Sequence, residues 1–212
     1  MHISRKKSSL ILAVVVIATA ASSFAGAASG ATGRHAKSTG AGAQATLDHQ
    51  LALARNATLK YATNLALAKR SGYRTISHSV PGVGVRFMNG AIQGFDVRKP
   101  PILVYEHRAN GWQLGAVEWV FTSKPPEPPL PGARYGSFRA GCHYTDGTFV
   151  RADDRAGCPE SAPRSGAAFT FWHPRLVTLN VWLWSANPNG LFASTNPAVD
   201  YENPLVAAYR AD

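Results

Sequence analysis

The longest regular pattern of apolar positions runs from Thr46 to Arg70. Its apolar and small residues recur at steps of four and three, at Leu47, Leu51, Ala54, Thr58, Tyr61, Leu65 and Ala68. This spacing places them on one side of a helix, so it predicts one amphipathic helix near the N-terminus of the domain. Thr46 is suited to cap its start, and Gly72 is suited to the left-handed conformation that ends it.

A second pattern alternates with period two over residues 176–184 and predicts a strand. Its aliphatic face is expected to lie in the core and consists of Val177, Leu179, Val181 and Leu183. The opposite face places Trp182 and Trp184 around Asn180, which is the composition of a binding surface. The alternative is that a loop or helix covers both tryptophans and that Asn180 bonds to backbone.

The patterns in the rest of the chain predict further strands. Val83–Met88 alternates in a short extended segment, and residues 102–106 and 113–121 flank Asn110-Gly111, a strong hairpin signal. Five prolines between Lys124 and Gly132 exclude a central strand there. Together these patterns predict an α+β fold, with the helix packed on an antiparallel sheet. Residues 139–166 are predicted to form a loop-rich, disulfide-bridged insertion.

The N-terminus has the pattern of an export signal. Arg5, Lys6 and Lys7 precede the apolar run Leu10–Ala21, and Ala25-Gly26-Ala27 fits a cleavage site. We therefore expect a signal peptide at 1–27, a flexible tether rich in Ala, Gly, Ser and Thr at 28–45, and one globular domain at 46–212. The protein is expected to be secreted or associated with the cell envelope, with no transmembrane span after cleavage; a retained signal would instead act as an anchor.

The two cysteines, Cys142 and Cys158, are expected to form a disulfide because the predicted compartment is oxidising. The alternative makes both cysteines and His143 metal ligands, but their spacing matches no standard zinc pattern.

The chain is strongly basic, with 22 Lys and Arg against 12 Asp and Glu, and it stays basic after loss of residues 1–27. This charge favours an anionic small molecule or an anionic envelope polymer as partner. Nucleic acid is not expected, because the cations are scattered singly and no basic run interleaves with aromatic residues.

Glu118 is unusual because it interrupts an apolar run in the second strand of the predicted hairpin. A carboxylate in such a run must find a partner, and Arg86 is a candidate. Its relation to Glu106 depends on the turn. A two-residue Asn110-Gly111 turn would place the two carboxylates on opposite faces, whereas a three-residue loop would place them far apart on one face.

Motifs for other chemistry are missing. There is no G-x-S-x-G nucleophile motif, and no two histidines occur at a helical or strand ligand spacing. The sequence therefore predicts no metal site and no cofactor.

The order of segments resembles a family of uncharacterised exported bacterial proteins. The resemblance covers about 160 residues. Its motifs are the helix end Ala68–Tyr73, the glycine segment Val83–Phe87, Pro100–Glu106, Gly115–Trp119, Cys142–Thr148, Ala167–Pro174, Leu179–Trp184, and the Asn-Pro dipeptides at Asn187 and Asn196.

Similar sequences usually carry histidine at the positions of Arg86 and Asn180, which implies a metal or acid/base site that this chain has lost. An arginine repels cations, and an amide binds metals weakly. We therefore favour a binding or envelope-associated module over an enzyme, with a ligand surface that consists of Arg86, Glu118, Asn180, Trp182 and Trp184. The alternative is a hydrolase or metal-dependent enzyme with a site near Arg86, Glu118 and Asn180, joined by Glu106 and His173.

Overall fold

The computed structural model describes residues 40–199, which form an α+β domain. The predicted signal peptide, most of the tether and the last residues of the chain lie outside this range. The helical segment comprises α1 (Gly40–Thr58), a short 3-10 turn (Leu59–Tyr61) and α2 (Leu65–Arg70). Helix α1 begins before Thr46, so residues 40–45 are helical and Thr46 is not its cap.

The buried side of this helical segment is the predicted one. All of the predicted positions are buried except Leu51, which is partly buried and packs against the same core. After Thr58 the segment tightens into the 3-10 turn, and two carbonyls beyond the break bond to the sheet: Tyr61 O accepts from the Tyr105 hydroxyl at 2.7 Å, and Ala62 O accepts from Leu114 N at 2.8 Å. Asn64 caps the restart by accepting from Leu67 N.

Within residues 40–199, nine strands follow the helical segment. They are β1 (Arg74–Thr75), β2 (Val85–Met88), β3 (Ile102–Arg108), β4 (Gly111–Phe121), β5 (Gly136–Phe138), β6 (Gly141–Tyr144), β7 (Phe149–Arg151), β8 (Phe169–His173) and β9 (Leu176–Val181). A six-stranded antiparallel sheet has the order β1-β2-β3-β4-β9-β5, and a three-stranded antiparallel sheet has the order β7-β6-β8.

The predicted hairpin is β3 and β4, but its register differs from both of the expected ones. Arg108 pairs with Gly111, so the turn residues are Ala109 and Asn110. The register shifts between Val104, which pairs with Ala116, and Tyr105, which pairs with Leu114, so Gly115 is an extra residue on β4. The extra residue shifts the rest of β4 by one position. As a result, Val117 faces the main core beside Leu103, and Ala116 faces the second core beside Val104.

The predicted loop-rich insertion contains more regular structure than expected, because β6 and β7 lie within residues 139–166. The predicted disulfide is present: Cys142 on β6 bonds to Cys158, with their Cα atoms 5.7 Å apart. It is worth about 3 kcal/mol in the chain-entropy model, and such bonds are typical of proteins outside the cytosol.

The six-stranded sheet buries both faces. One face carries Leu103, Val117 and Leu179 into the main core, which also contains the buried side of the helical segment. The other face carries Ile102, Val104 and Ala116 in a second core, to which Phe171 of the three-stranded sheet also belongs. The polar side chains of functional interest lie on this second face.

The helices of residues 40–199 include none with the length and apolar character that crossing a membrane requires.

Candidate ligand-binding cavity

A small polar cavity of about 70 Å³ opens at the edge of the six-stranded sheet, on its second face. We call it the Arg86 cavity; its lining residues are Arg86, Glu118, Gly136, Ser137, Phe138, Thr178, Asn180 and Ser194. Three of the predicted site residues, Arg86, Glu118 and Asn180, therefore meet in one place. Ser137 and Ser194 are exposed and mark the side of the cavity that faces solvent.

Glu118 forms the expected ion pair with Arg86. The Nε of Arg86 donates to Oε2 of Glu118 at 2.8 Å, and Glu118 is only 3 % exposed. Arg86 is on β2 and Glu118 is on β4, so the arginine side chain crosses the intervening strand β3. The planar guanidinium is fixed by this bond while its terminal nitrogens keep further donors.

Cross-strand pairing explains why the other polar groups are next to this ion pair. Asn180 is directly opposite Glu118, and Thr178 on the same strand is directly opposite Gly136 of β5. A Cβ atom at Gly136 would lie 2.8 Å from Oγ1 of Thr178 and 3.2 Å from Oγ of Ser194. The absence of a side chain at Gly136 therefore leaves the space that the cavity occupies.

The two tryptophans do not line this cavity, and they do not share an environment. Strand β9 ends at Val181, so the alternation predicted through Trp184 stops there. Trp182 packs in the second core, and its indole N–H donates to Ala193 O at 2.7 Å. Trp184 packs against the main core, and its indole donates to the Thr58 hydroxyl of α1 at 3.1 Å.

The segment after β9 also provides a hydrogen-bond acceptor for the Asn180 side chain: Nδ2 of Asn180 donates to Ala193 O at 3.0 Å. Trp182 is buried and Trp184 is half-buried, with the guanidinium of Arg55 5.1 Å from its ring centroid. The structure thus agrees with the alternative in which loop and helix cover the tryptophans. The aromatic residue that lines the cavity is Phe138, which the sequence did not single out.

Glu106 and His173, the further members of the alternative enzyme site, lie outside the lining of the cavity. Glu106 is buried and accepts from Nη2 of Arg108 at 2.8 Å and from the hydroxyl of Ser185. Because of the bulge at Gly115, Glu106 and Glu118 share a face of the sheet but remain far apart along it.

A cluster of two histidines and three phenylalanines lies beside the cavity. This histidine cluster consists of Phe138, His143, Phe149, Phe171 and His173. Phe138 joins it to the cavity, because its ring stacks on that of His173 with centroids 4.8 Å apart. Burial, together with the neighbouring His173, lowers the pKa of His143 to about 4. Burial also lowers the pKa of His173.

Within residues 40–199, no group of three or more His, Cys, Asp and Glu side chains is placed to hold a metal ion. Comparison of the chain with protein-family models, curated proteins and solved structures found no match. The resemblance to exported bacterial proteins therefore stays a prediction.

Replacing Glu118 by Gln should lower the free energy of unfolding by roughly 1–3 kcal/mol, because the amide leaves the Arg86 guanidinium partly buried without its counter-charge. Urea unfolding measures the change. The matched control is Glu160→Gln, which removes an exposed carboxylate that accepts from Arg155 at 3.1 Å, and it should cost less than about 0.5 kcal/mol. Equal effects of the two substitutions would show that the Arg86–Glu118 pair is no stronger than a surface pair.

The buried histidines should make the domain acid-sensitive. The pKa of His143 is about 4 in the folded state and 6.5 as an ordinary value, so the unfolded chain binds its proton first as the pH falls. The stabilisation is complete above pH 6.5 and is lost between pH 6.5 and 4, on the order of 3 kcal/mol for this group. Urea unfolding between pH 6.5 and 4 should show that the free energy of unfolding falls less steeply with pH in His143→Gln than in the unaltered protein. The control is His49→Gln, at an exposed position, which should behave like the unaltered protein. The same pH dependence in His143→Gln as in the unaltered protein would contradict the lowered pKa of His143.

Proposed function

We propose that this protein is an exported binding module whose Arg86 cavity takes the carboxylate group of a small anionic ligand. The observation that carries the proposal is the fixed guanidinium of Arg86 at a polar cavity. Its Nε is used by Glu118, so the terminal nitrogens supply the fork of donors that matches a carboxylate.

The hydroxyl groups around the cavity support an oxygen-rich ligand group. The hydroxyls of Thr178 and Ser194 lie beside Gly136 in the lining of the cavity, whereas Ser137 pairs with Val177 and its side chain is on the other face of the sheet. A hydroxyl can donate to a carboxylate oxygen and has no charge of its own, so these groups add donors without adding repulsion.

The size of the cavity limits what it encloses. Its volume of about 70 Å³ is far below the roughly 300–1,000 Å³ of pockets that enclose a whole drug-sized ligand. It has room for a carboxylate or a few water molecules, since a water molecule takes about 30 Å³ of liquid volume. We infer that only the anionic group is enclosed and that the rest of the ligand lies along the exposed rim.

Charge selects the ligand at longer range. Glu118 offsets the charge of Arg86 inside the cavity, so recognition there depends on hydrogen-bond geometry. The chain carries 22 Lys and Arg against 12 Asp and Glu and stays basic after loss of residues 1–27, which favours approach by anions. An export signal and a disulfide together fit a protein of the cell envelope or the extracellular space, where it would meet such ligands.

The alternative function is a hydrolase or metal-dependent enzyme at the same residues. Among the described residues, the lining of the Arg86 cavity includes no histidine, and its one carboxylate is bonded to Arg86. No contact in the site therefore favours the alternative over binding.

Small carboxylates such as acetate and pyruvate should produce saturable shifts of the Gly136 and Ser137 amide signals in NMR titrations. Gly136→Ala should abolish these shifts, because the added methyl group lies within 3.2 Å of two hydroxyl oxygens that line the cavity. The matched control is Gly157→Ala, where the nearest atom to the added Cβ is at 3.4 Å, and it should leave binding unchanged.

Arg86→Lys should weaken binding about tenfold or more, because it keeps the charge and removes the fork. Arg108→Lys changes the other arginine that pairs with a buried glutamate and should have no effect. The proposal is wrong if no small carboxylate gives saturable shifts, or if Arg108→Lys weakens binding as much as Arg86→Lys. Tight zinc binding that Asn180→Ala abolishes would support the metal-dependent alternative instead.

A further inference from the structure

The histidine cluster places two imidazole rings next to each other in the interior. His143 is on β6 and His173 is on β8, and the antiparallel pairing of these strands sets His143 opposite Phe171 and Gly141 opposite His173. The two ring centroids are 5.1 Å apart, and the residues are only 1 % and 7 % exposed. This adjacency depends on strand pairing and not on any spacing in the sequence.

Both rings are held in the same tautomer by backbone carbonyls. Nδ1 of His143 lies 2.9 Å from Ile76 O, and Nδ1 of His173 lies 2.6 Å from Pro174 O. A carbonyl oxygen only accepts, so each Nδ1 carries the hydrogen and each Nε2 of the neutral ring presents a lone pair. A carbonyl partner at the other ring nitrogen is the usual support of a metal-binding histidine.

Among residues 40–199, neither Nε2 atom has a hydrogen-bond partner, although both are buried. A buried lone pair without a partner destabilises the fold, and here there are two in adjacent side chains. Residues 40–199 supply neither a donor nor a cation to these two nitrogens, so one small occupant between the rings would satisfy both.

The surroundings decide which occupant fits. A metal ion sits about 2 Å from a histidine nitrogen, so two rings with centroids 5.1 Å apart are close enough to share one ion. The cluster consists otherwise of three phenylalanine rings, and the nearby Glu118 carboxylate is already bonded to Arg86. A divalent ion would therefore carry two uncompensated positive charges in an apolar site, whereas a monovalent ion would carry one. The apolar surroundings thus favour a monovalent ion.

We propose that His143 and His173 form a binding site for monovalent copper, coordinated through the two Nε2 atoms. Imidazole is a good ligand for copper, and the phenyl rings exclude water from the ion. The site is separate from the Arg86 cavity, with Phe138 between them, and it does not rest on the ligand proposed there.

The test is an anaerobic titration of the purified protein with copper kept reduced by ascorbate, in competition with a colorimetric copper(I) chelator. We expect one copper(I) per chain, and we expect His143→Gln and His173→Gln each to abolish stoichiometric binding. His49→Gln, at an exposed position on α1, is the matched control and should bind one copper(I) per chain. Zinc under the same conditions should show no one-to-one site.

X-ray absorption of the copper-loaded unaltered protein tests the site without any substitution. The proposal can therefore be decided even if both histidine variants fail to fold. The proposal predicts nitrogen ligands with the scattering of two imidazoles. It is overturned if the folded protein binds no stoichiometric copper(I), which would leave ordered water as the partner of the two nitrogens. Copper bound by other ligands, or zinc bound equally tightly, would also overturn it.

Discussion

The buried ion pair between Arg86 and Glu118 is the constraint around which the second face of the six-stranded sheet is arranged. Glu118 sits in the middle of an otherwise apolar stretch of β4 and is almost inaccessible to water. A buried carboxylate requires a compensating partner, and the side chain of Arg86 reaches it from β2 across β3. The pair therefore ties together three strands whose registers must all be correct for the bond to form.

The same pair determines what this face can do. An all-apolar face would simply pack against the three-stranded sheet, but a charged pair at the edge of the second core brings other polar groups beside it. The pairing of β9 with β4 places Asn180 and Thr178 beside the ion pair. Gly136 has no side chain and leaves a space between these residues and solvent. The candidate site thus forms where the buried Glu118 carboxylate is paired, and the fixed guanidinium of Arg86 is the group in it best suited to bind an anion.

Much of this could be predicted from local sequence. The helical face was predicted correctly because its apolar spacing is regular. The β3–β4 hairpin was predicted from the turn signal at Asn110-Gly111, but its turn residues are Ala109 and Asn110 and its register differs from the expected ones. The disulfide followed from two cysteines in a chain with an export signal. The Arg86–Glu118 pair was predictable because a carboxylate within an apolar run has few ways to be satisfied.

What could not be predicted depends on distant pairing or on where a strand stops. Trp184 was placed with Trp182 because the alternation continues in the sequence, but the chain leaves the sheet after Val181 and turns Trp184 towards α1. The histidine pair was missed because His143 and His173 are neighbours only through the β6–β8 pairing. The bulge at Gly115 has no sequence signal beyond the glycine itself.

The central claim is that Arg86 and Glu118 act as one unit in the interior, and a double-mutant cycle in urea unfolding tests it most directly. Arg86→Met and Glu118→Leu should each be strongly destabilising, because each leaves one buried charge alone. The double variant should recover much of the loss, which gives a coupling energy on the order of 2 kcal/mol. Additive losses, with a coupling below about 0.5 kcal/mol, would contradict the account.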